Sequence, residues 1–350
     1  MSATILSVTT AVPSHAVTTA DVKEYFPKAF DLDPRRLASI HSVVGNACIN
    51  KRHFVFPLDY TITSRPLEEI TCQYKTHSIA LGREVAESAL AQAGLGARDI
   101  DLLITVSCTG IMIPSLDAYL INAMGFRADV KRLPITELGC AAGAAALARA
   151  ADYLRAYPDA NALVIAVELP SLTLQRNDPS LANLVSCALF GDGAAGAVLT
   201  GRPAPGLRIT ASHSHLIPDS LDAMGFDLKG SGLHIVLSRS VPQLVRDEIL
   251  AVTDQFLARH QLSRSDLAFY LLHPGGQKLL RYVEEELQLT NHHTRSSWAV
   301  LAEYGNLSSA TVLFVMQDFL AQPPPPAGSR GLLAAFGPGF SMEMVLLEWN

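Results

Sequence analysis

The sequence predicts an α/β protein made of two related halves that pack about a pseudo-twofold axis. Unbroken apolar segments, typical of strands buried on both faces, alternate with helical patterns, which favours a largely parallel sheet covered by helices. The same order of segments returns in the second half: Asp266 matches Asp101 and Gly275 matches Gly110, each 165 residues further on. We therefore interpret the chain as a duplicated α/β unit.

The first half contains the first copy of this unit. An amphipathic pattern over residues 76–95 predicts a helix that Gly94 and Gly96 end. The continuous apolar segment at 101–110 predicts a buried strand, and the next helix is expected over 113–124. Another helix should follow Cys140. The remaining predicted strands cover 4–8, 161–167, 184–190 and 197–200.

The second half repeats these elements in the same register. The segment 265–275 corresponds to 101–110, and the segment 304–320 corresponds to the helix after Cys140, with Gly305 over Gly139. A strand at 331–335 then takes the place of 161–167. If the halves pack about a twofold axis, the two equivalent helices should meet with their N-termini at one place.

Charge and cysteine content exclude several classes of function. The 350 residues carry a net charge of -6 and a pI near 6.0, without the basic balance that nucleic-acid binding requires. No apolar run reaches the 18 or so residues of a membrane span, and no basic residue precedes Lys23 as in a signal peptide. Five scattered cysteines without a CxxC pair predict a reducing, cytoplasmic location. The basic residues Arg35, Arg36, Lys51 and Arg52 are interpreted as a solvated face.

Cys140 is the strongest candidate nucleophile. It follows Gly139 and opens a run of small helix-forming residues, so its thiol should lie at a helix N-terminus, where backbone N–H groups and the helix dipole favour a thiolate. The run is small enough to let another backbone pack closely against the helix and bury it. An ordinary apolar core cysteine is the alternative for the same residues.

His273 and Asn306 are expected to converge on Cys140. His273 ends the second-half strand, beside the crevice where open α/β sheets bind ligands, and Asn306 opens the helix equivalent to that of Cys140. A thiol, an imidazole and a carboxamide suit covalent acyl transfer: His273 would hold the thiolate in an ion pair, and the thiolate would attack a thioester. The imidazole and the amide could then stabilise the enolate that decarboxylation of a malonyl group leaves.

Five motifs in order carry a resemblance to type III polyketide synthases, the chalcone and stilbene synthase family. They are Gly-Cys at 139–140, Leu-Phe-Gly-Asp-Gly at 189–193, Leu-His-Pro-Gly-Gly at 272–276, Tyr-Gly-Asn-Leu-Ser-Ser at 304–309 and Phe-Gly-Pro-Gly at 336–339. The resemblance covers essentially the whole chain. It implies a thiolase-like five-layer αβαβα fold, with an N-terminal half at 1–203 that carries the cysteine and a C-terminal half at 204–350 that carries the histidine and asparagine.

The resemblance also implies how the enzyme works. Cys140 would carry the acyl chain, His273 and Asn306 would form the decarboxylation and oxyanion pair, and Phe190 would match the gating phenylalanine. Acyl-CoA starter and malonyl-CoA would be the substrates of a homodimer, with no further cofactor and no metal. The residues that match the family's elongation cavity are Cys108, Ile113, Pro170, Thr173, Gly225, Ser308 and Phe336.

Three further features bear on the expectation. Ile113 would reach into the partner subunit's cavity. Most of the matching residues are apolar or small where chalcone-forming members carry more hydroxyls, which favours an aliphatic starter and a pyrone or resorcinol product. Ala335 replaces the first glycine of the family's usual Gly-Phe-Gly-Pro-Gly loop.

Three alternatives remain open. A ketoacyl synthase III-like enzyme shares the Cys, His and Asn set but performs one condensation, and its histidine is usually followed by glutamine and asparagine instead of Pro274 and two glycines. A thiolase-fold protein that binds acyl-CoA without catalysis is the second. A papain-like protease is the third, and the duplicated α/β pattern argues against it.

The G-x-G-x-x-G at 191–196 lacks a following helix and is interpreted as a tight turn, not a dinucleotide site.

Overall fold

The computed structural model describes residues 3–350, and nine of its strands form one mixed sheet that crosses the molecule. The elements of the first half are β1 (Ala3–Ala11), β2 (His15–Thr18), α1 (Thr19–Ala29), α2 (Pro34–Gly45), β3 (Lys51–Phe54), α3 (Leu58–Thr61), α4 (Leu67–Ala93), β4 (Leu102–Val106), α5 (Leu116–Met124), β5 (Lys131–Ile135), α6 (Ala142–Ala156), β6 (Asn161–Glu168), α7 (Leu181–Leu189) and β7 (Gly193–Thr200). Those of the second half are β8 (Leu207–Leu216), β9 (Met224–Lys229), β10 (Gly232–Leu237), α8 (Val241–Ala258), β11 (Leu267–Leu272), α9 (Gln277–Leu287), α10 (Asn291–Tyr304), α11 (Thr311–Leu320), β12 (Arg330–Gly337) and β13 (Ser341–Trp349).

The order of the strands shows the predicted duplication. The sheet runs β11-β12-β13-β8-β1-β7-β6-β4-β5, so that β4, β6, β7 and β1 of the first half correspond to β11, β12, β13 and β8 of the second. The antiparallel pairing of β1 with β8 joins the halves. The expectation of a largely parallel sheet is wrong: three strand pairs are parallel and five antiparallel, because β7 and β13 return beside β6 and β12.

Three hydrophobic clusters show the five layers of the thiolase-like αβαβα fold. The central cluster combines residues of α6 and α11 with one face of the strands from both halves. A second cluster packs α8 and α9 on the outer face of the second-half strands, and a third packs α4 and α5 on the outer face of the first-half strands. Each half of the nine-stranded sheet counts as one layer. The order through the molecule is therefore helix, first-half strands, central helix pair, second-half strands and helix.

The two central helices meet closely, as the twofold relation predicts. A Cβ atom added at Gly143 of α6 would lie 2.2 Å from the backbone oxygen of Ser309, in the turn that precedes α11. Only a glycine permits this approach, because a backbone oxygen cannot turn aside as a side chain can. The close contact brings the start of α6, and with it Cys140, against the turn that carries Asn306 and Ser308.

Several sequence-based boundaries are corrected by the structure. Residues 184–190 do not form a strand: α7 occupies Leu181–Leu189, and the hydroxyl of its N-cap Ser180 accepts from the backbone N–H of Asn183. Helix α4 begins at Leu67, nine residues before its predicted start. Helix α5 begins at Leu116 because Pro114 and the N-cap Ser115 precede it, which leaves Ile113 in a loop.

Arg52 overturns the interpretation of the basic residues as one solvated face. Its side chain is completely buried, and burial lowers the pKa of the guanidinium to about 10. Its Nη2 donates to the hydroxyl of Thr19, 3.3 Å away. Neighbouring Lys51 is half-exposed and pairs with Glu303 at 3.0 Å.

Within the described residues, no helix is long and apolar enough to span a membrane.

Candidate active site

Cys140 is buried at the start of a central helix. It lies in a short 3-10 turn, Gly139–Ala141, that runs directly into α6. Gly139 adopts φ +50°, and an added Cβ there would lie 2.6 Å from the Pro338 ring. The turn is therefore locked against the loop that joins β12 to β13, and the thiol is held at one position.

Asn306 lies next to the thiol. Its Oδ1 is 4.0 Å from Cys140 Sγ and accepts from the backbone N–H of Ser308 at 2.8 Å. This internal contact fixes the orientation of the amide, so that Nδ2 points the other way and donates to the carbonyl of Gly275 at 3.3 Å. The carboxamide thus connects the cysteine of the first half with the loop that follows His273.

His273 follows β11 and is buried. Its backbone N–H donates to Ala334 of β12 at 2.8 Å, which continues the strand pairing to the end of the sheet. Among the described residues, neither ring nitrogen has a protein hydrogen-bond partner. A buried imidazole with both nitrogens unpaired is free to bind a reacting group.

Burial determines the protonation of this pair. Burial raises the pKa of Cys140 to about 12, against the smaller lowering effect of its hydrogen-bond contacts with Ser308 and Asn306. Burial also lowers the pKa of His273 to about 3. In the free protein these shifts favour the neutral thiol and the neutral imidazole over the expected thiolate, because desolvation disfavours the charged form of each group. Both groups are neutral at pH 7.

A cavity of about 360 Å³ opens in front of Cys140. Six of the predicted cavity residues line it together with the cysteine: Cys108, Pro170, Thr173, Phe190, Gly225 and Ser308. The wall opposite the strand ends is the β9–β10 hairpin, whose apolar side chains face inward. Its contributors are Met224, Phe226, Leu233, Ile235 and Leu237. Sequence analysis missed this wall, although the alternation of residues 233, 235 and 237 was a usable signal.

Two predicted cavity residues lie elsewhere. Phe336 does not line this cavity: it belongs to β12 and is buried in the second-half core with its ring parallel to that of Phe340, so Pro338 of the same motif faces the cavity instead. Ile113 is 93% exposed and borders a neighbouring groove. Its predicted contact with a partner subunit stays a prediction.

Phe190 is held against Asn306 through the backbone. Asn306 donates its backbone N–H to the carbonyl of Leu189 at 2.9 Å, and its own carbonyl accepts from Gly191 at 3.0 Å. The two segments form a parallel bridge between Phe190 and Asn306. The aromatic side chain at the cavity wall and the amide at the thiol are thus held in one rigid unit.

A second thiol shares a hydroxyl with the first. Ser308 Oγ lies 3.6 Å from Cys140 Sγ and 3.3 Å from Cys108 Sγ. Beneath them the fully buried Glu168 accepts from the backbone N–H of Cys108 at 3.1 Å and from Thr109 Oγ1 at 2.8 Å. Burial raises the pKa of Glu168, while a hydrogen bond from Ser309 opposes the shift. Nothing in the sequence pattern pointed to Glu168.

Asp192 lies in the segment 191–196, whose interpretation as a tight turn is wrong from Gly193 onward because strand β7 begins there. Its carboxylate accepts from the backbone N–H groups of Val55 and Ser171, each at 2.8 Å, and β7 begins directly after it. Burial raises the pKa of this carboxyl to about 7. Asp192 therefore holds the loops around the cavity and does not face it.

Within residues 3–350, no three His, Cys, Asp or Glu side chains come together as a metal site would require.

Fold and site together define a class of protein: a thiolase-fold acyltransferase with a cysteine, a histidine and an asparagine contributed by two related halves. The family models for the N-terminal and C-terminal domains of chalcone and stilbene synthases match residues 1–203 and 208–349. The chain therefore belongs to the chalcone and stilbene synthase family, the type III polyketide synthases.

Individual relatives agree with this assignment over the full length. The chain is 41% identical to a 1,3,6,8-tetrahydroxynaphthalene synthase of Streptomyces peucetius, over 99% of this chain and 93% of that protein. It is 32% identical to a phloroglucinol synthase of Pseudomonas fluorescens, over 97% of each. The crystal structure of the 1,3,6,8-tetrahydroxynaphthalene synthase of Streptomyces coelicolor superposes with a TM-score of 0.96 at 38% identity, covering 99% of both chains. The protein is an acyltransferase that builds a polyketide from CoA thioesters and cyclises it to an aromatic or pyrone product.

Proposed function

We propose that Cys140, His273 and Asn306 perform decarboxylative condensation of malonyl units inside the 360 Å³ cavity, and that the product is a compact polyphenol. The observation that supports this most is the contact of Asn306 with both the Cys140 thiol and the loop after His273. Through this contact a nucleophile at the cavity is linked to an amide donor and to the loop that follows a proton acceptor, and these three groups together serve acyl transfer to carbon.

In the loading step, the neutral thiol of Cys140 attacks the carbonyl carbon of the starter thioester. The imidazole of His273 accepts the thiol proton as the carbon–sulfur bond forms, and returns it to the CoA thiolate as CoA leaves. The pKa values that burial sets favour this order over a preformed ion pair, because both groups are neutral before the substrate arrives. The acyl chain is then bound to Cys140 as a thioester.

In the extension step, malonyl-CoA loses carbon dioxide and the electron pair of the broken carbon–carbon bond forms an enolate on the thioester. The neutral His273 N–H and the Asn306 amide donate hydrogen bonds to the enolate oxygen. The enolate carbon attacks the acyl carbon on Cys140, which displaces the cysteine thiolate. Preorganised donors of this kind are worth about 3 to 4 kcal/mol each in the rate-limiting step.

The size of the cavity supports a compact product. Small-molecule sites commonly enclose about 300 to 1,000 Å³, and this cavity lies near the lower limit. Two of the relatives are named for polyphenols with alternating hydroxyl groups, tetrahydroxynaphthalene and phloroglucinol, the pattern that head-to-tail joining of two-carbon units produces. A short starter, malonyl-CoA itself included, is therefore proposed first.

An aliphatic starter is the second candidate, as the sequence suggests. The hairpin wall of Met224, Phe226, Leu233, Ile235 and Leu237 is apolar throughout, and an alkyl chain would bury well against it. This candidate would give alkyl pyrones or alkyl resorcinols.

One assay distinguishes these possibilities. Purified protein is given malonyl-CoA alone and then malonyl-CoA with acetyl-, octanoyl-, palmitoyl- and coumaroyl-CoA, and products are identified by mass spectrometry. We expect a product from malonyl-CoA alone, and none from Cys140→Ala. Cys72→Ala, which removes an exposed thiol on α4, is the matched control and should keep wild-type activity. Products that form only with long acyl-CoA would favour the second candidate, and wild-type rates in Cys140→Ala would refute the mechanism.

The proposal includes a homodimer in the cytoplasm that needs no cofactor beyond its CoA substrates. The exposed Ile113 beside the cavity supports the dimer, because a large apolar side chain that is 93% exposed is typical of an interface. The five free cysteines support a reducing compartment.

A further inference from the structure

A tyrosine outside the cavity holds a serine on its wall. Tyr74 of α4 is buried, and its phenol donates to Ser107 Oγ at 2.6 Å. The tyrosine ring lies flat against Gly110, where an added Cβ would be 2.3 Å from the ring. Ser107 follows the last residue of β4, precedes Cys108 and lines the same cavity as Cys140. Neither Tyr74 nor Ser107 belongs to the triad or to the cavity residues expected from the family.

This contact fixes what the serine hydroxyl can do. The structure has the Tyr74 phenol as the donor and Ser107 Oγ as the acceptor, and burial raises the pKa of the phenol, which keeps the donor proton in place. Ser107 Oγ is then the acceptor of this bond, and its own O–H proton is available for another acceptor. Within residues 3–350, that proton is given to no protein atom, and the hydroxyl borders the cavity.

Of the other hydroxyl groups on the wall, those of Thr109 and Thr173 are already committed, whereas Thr136 and Ser186 also line the cavity and have no protein partner that fixes their hydroxyls among the described residues. Thr109 Oγ1 donates to Glu168 at 2.8 Å, and Thr173 Oγ1 donates to the carbonyl of Pro170 at 2.9 Å. The hairpin opposite contributes only apolar side chains to this cavity. A polyketide chain, which carries a carbonyl at every second carbon, therefore meets a donor with a fixed direction at Ser107.

We propose that Ser107, oriented by Tyr74, positions the growing polyketide by donating to one of its carbonyl oxygens and thereby selects how the chain cyclises. This inference rests on the proposed function. A carbonyl that accepts this bond is held in place and is more electrophilic, which favours carbon–carbon ring closure there. Without the bond, an enol oxygen of the chain can attack the carbonyl carbon of the chain's own thioester. This step forms a carbon–oxygen bond, expels the thiolate and releases a lactone.

The test compares product ratios with total turnover. Ser107→Ala should lower the ratio of aromatic product to lactone about three- to tenfold, the range expected for one hydrogen bond, and this fall should exceed any fall in total CoA release. Ser107→Thr keeps the hydroxyl and should retain the wild-type ratio. Tyr74→Phe keeps the ring against Gly110 but removes the donor, and should shift the ratio in the same direction by a smaller factor.

Two results would overturn the inference: an unchanged ratio in Ser107→Ala, or an equal fall of all products in both Ser107→Ala and Tyr74→Phe, which indicates a structural role only. Melting temperatures show whether a variant has lost its fold, and Tyr74→Phe keeps the inference testable if Ser107→Ala is unstable. Failure of the proposed function is seen separately, as wild-type protein that releases no CoA from malonyl-CoA.

Discussion

The oxygen and the nitrogen of the Asn306 carboxamide have different partners. Its oxygen accepts from the Ser308 N–H and from Thr311 Oγ1, 3.4 Å away, which holds the side chain in the turn before α11. Its nitrogen points to the carbonyl of Gly275. The group that would stabilise the enolate is therefore preorganised by the fold and needs no rearrangement when the substrate binds.

Asn306→Asp should separate the two chemical steps. The carboxylate keeps the acceptor for Ser308 but loses the amide donor, so enolate formation should slow by about 10²- to 10³-fold while acyl loading changes by less than about tenfold. Loading is measured as acylated Cys140 by intact mass, and decarboxylation as carbon dioxide release from malonyl-CoA. Asn122→Asp, an exposed site on α5, is the control and should change neither step. Equal losses in both steps would remove Asn306 from its specific role.

At the scale of elements, the central pair α6 and α11 determines where Cys140 and Asn306 meet. Helix α6 is composed largely of alanine in its first turns, and Gly143 lets the turn at Ser309 approach until backbone touches backbone. The hairpin β9–β10 has a different role. Its apolar face lines the cavity and lowers the local polarity, and hydrogen bonds are stronger in such surroundings than in water.

Gly143→Ala should damage the fold because a backbone oxygen occupies the place of the new methyl group, 2.2 Å from the added Cβ. We expect a loss of about 2 to 3 kcal/mol in the free energy of unfolding, as overpacking usually costs, together with a fall in activity. Chemical denaturation gives the measurement. At Gly230, between β9 and β10, an added Cβ meets no atom within 4 Å, so Gly230→Ala should stay within about 0.5 kcal/mol of wild type. Equal stability of both variants would contradict the close packing of the central helices.

On the scale of the whole molecule, the twofold fold places one site between two halves and leaves an apolar loop at the surface. Ile111 and Ile113 are 52% and 93% exposed, and both border a groove beside the cavity. An exposed apolar loop next to a catalytic chamber suits a second copy of the chain as its partner. The cavity wall would then be shared between subunits.

Ile113→Asp should therefore weaken the dimer. A charge at a buried interface position loses its hydration, so we expect the variant to sediment as a monomer at micromolar concentration where the wild type sediments as a dimer. Leu221→Asp is the matched control, since Leu221 is 76% exposed and lies in the loop before β9, outside the groove. Sedimentation velocity measures both. A wild-type protein that is a stable, active monomer would refute the shared cavity.

The sequence by itself determined the duplicated α/β architecture and the family, and it predicted the cysteine, histidine and asparagine of the candidate site, because these follow from local patterns and from motifs contiguous in the chain. The tertiary structure alone decided which distant residues line the chamber and which support it from behind. The hairpin forms a wall, while Glu168 lies beneath the thiols and Tyr74 lies behind Ser107. It also decided that Phe336 faces the core, that 184–190 is helical and that Arg52 is buried. The tertiary structure also decided the protonation states, since burial favours the neutral forms of Cys140 and His273. Desolvation depends on what surrounds a group in space, and neighbours in sequence do not specify that.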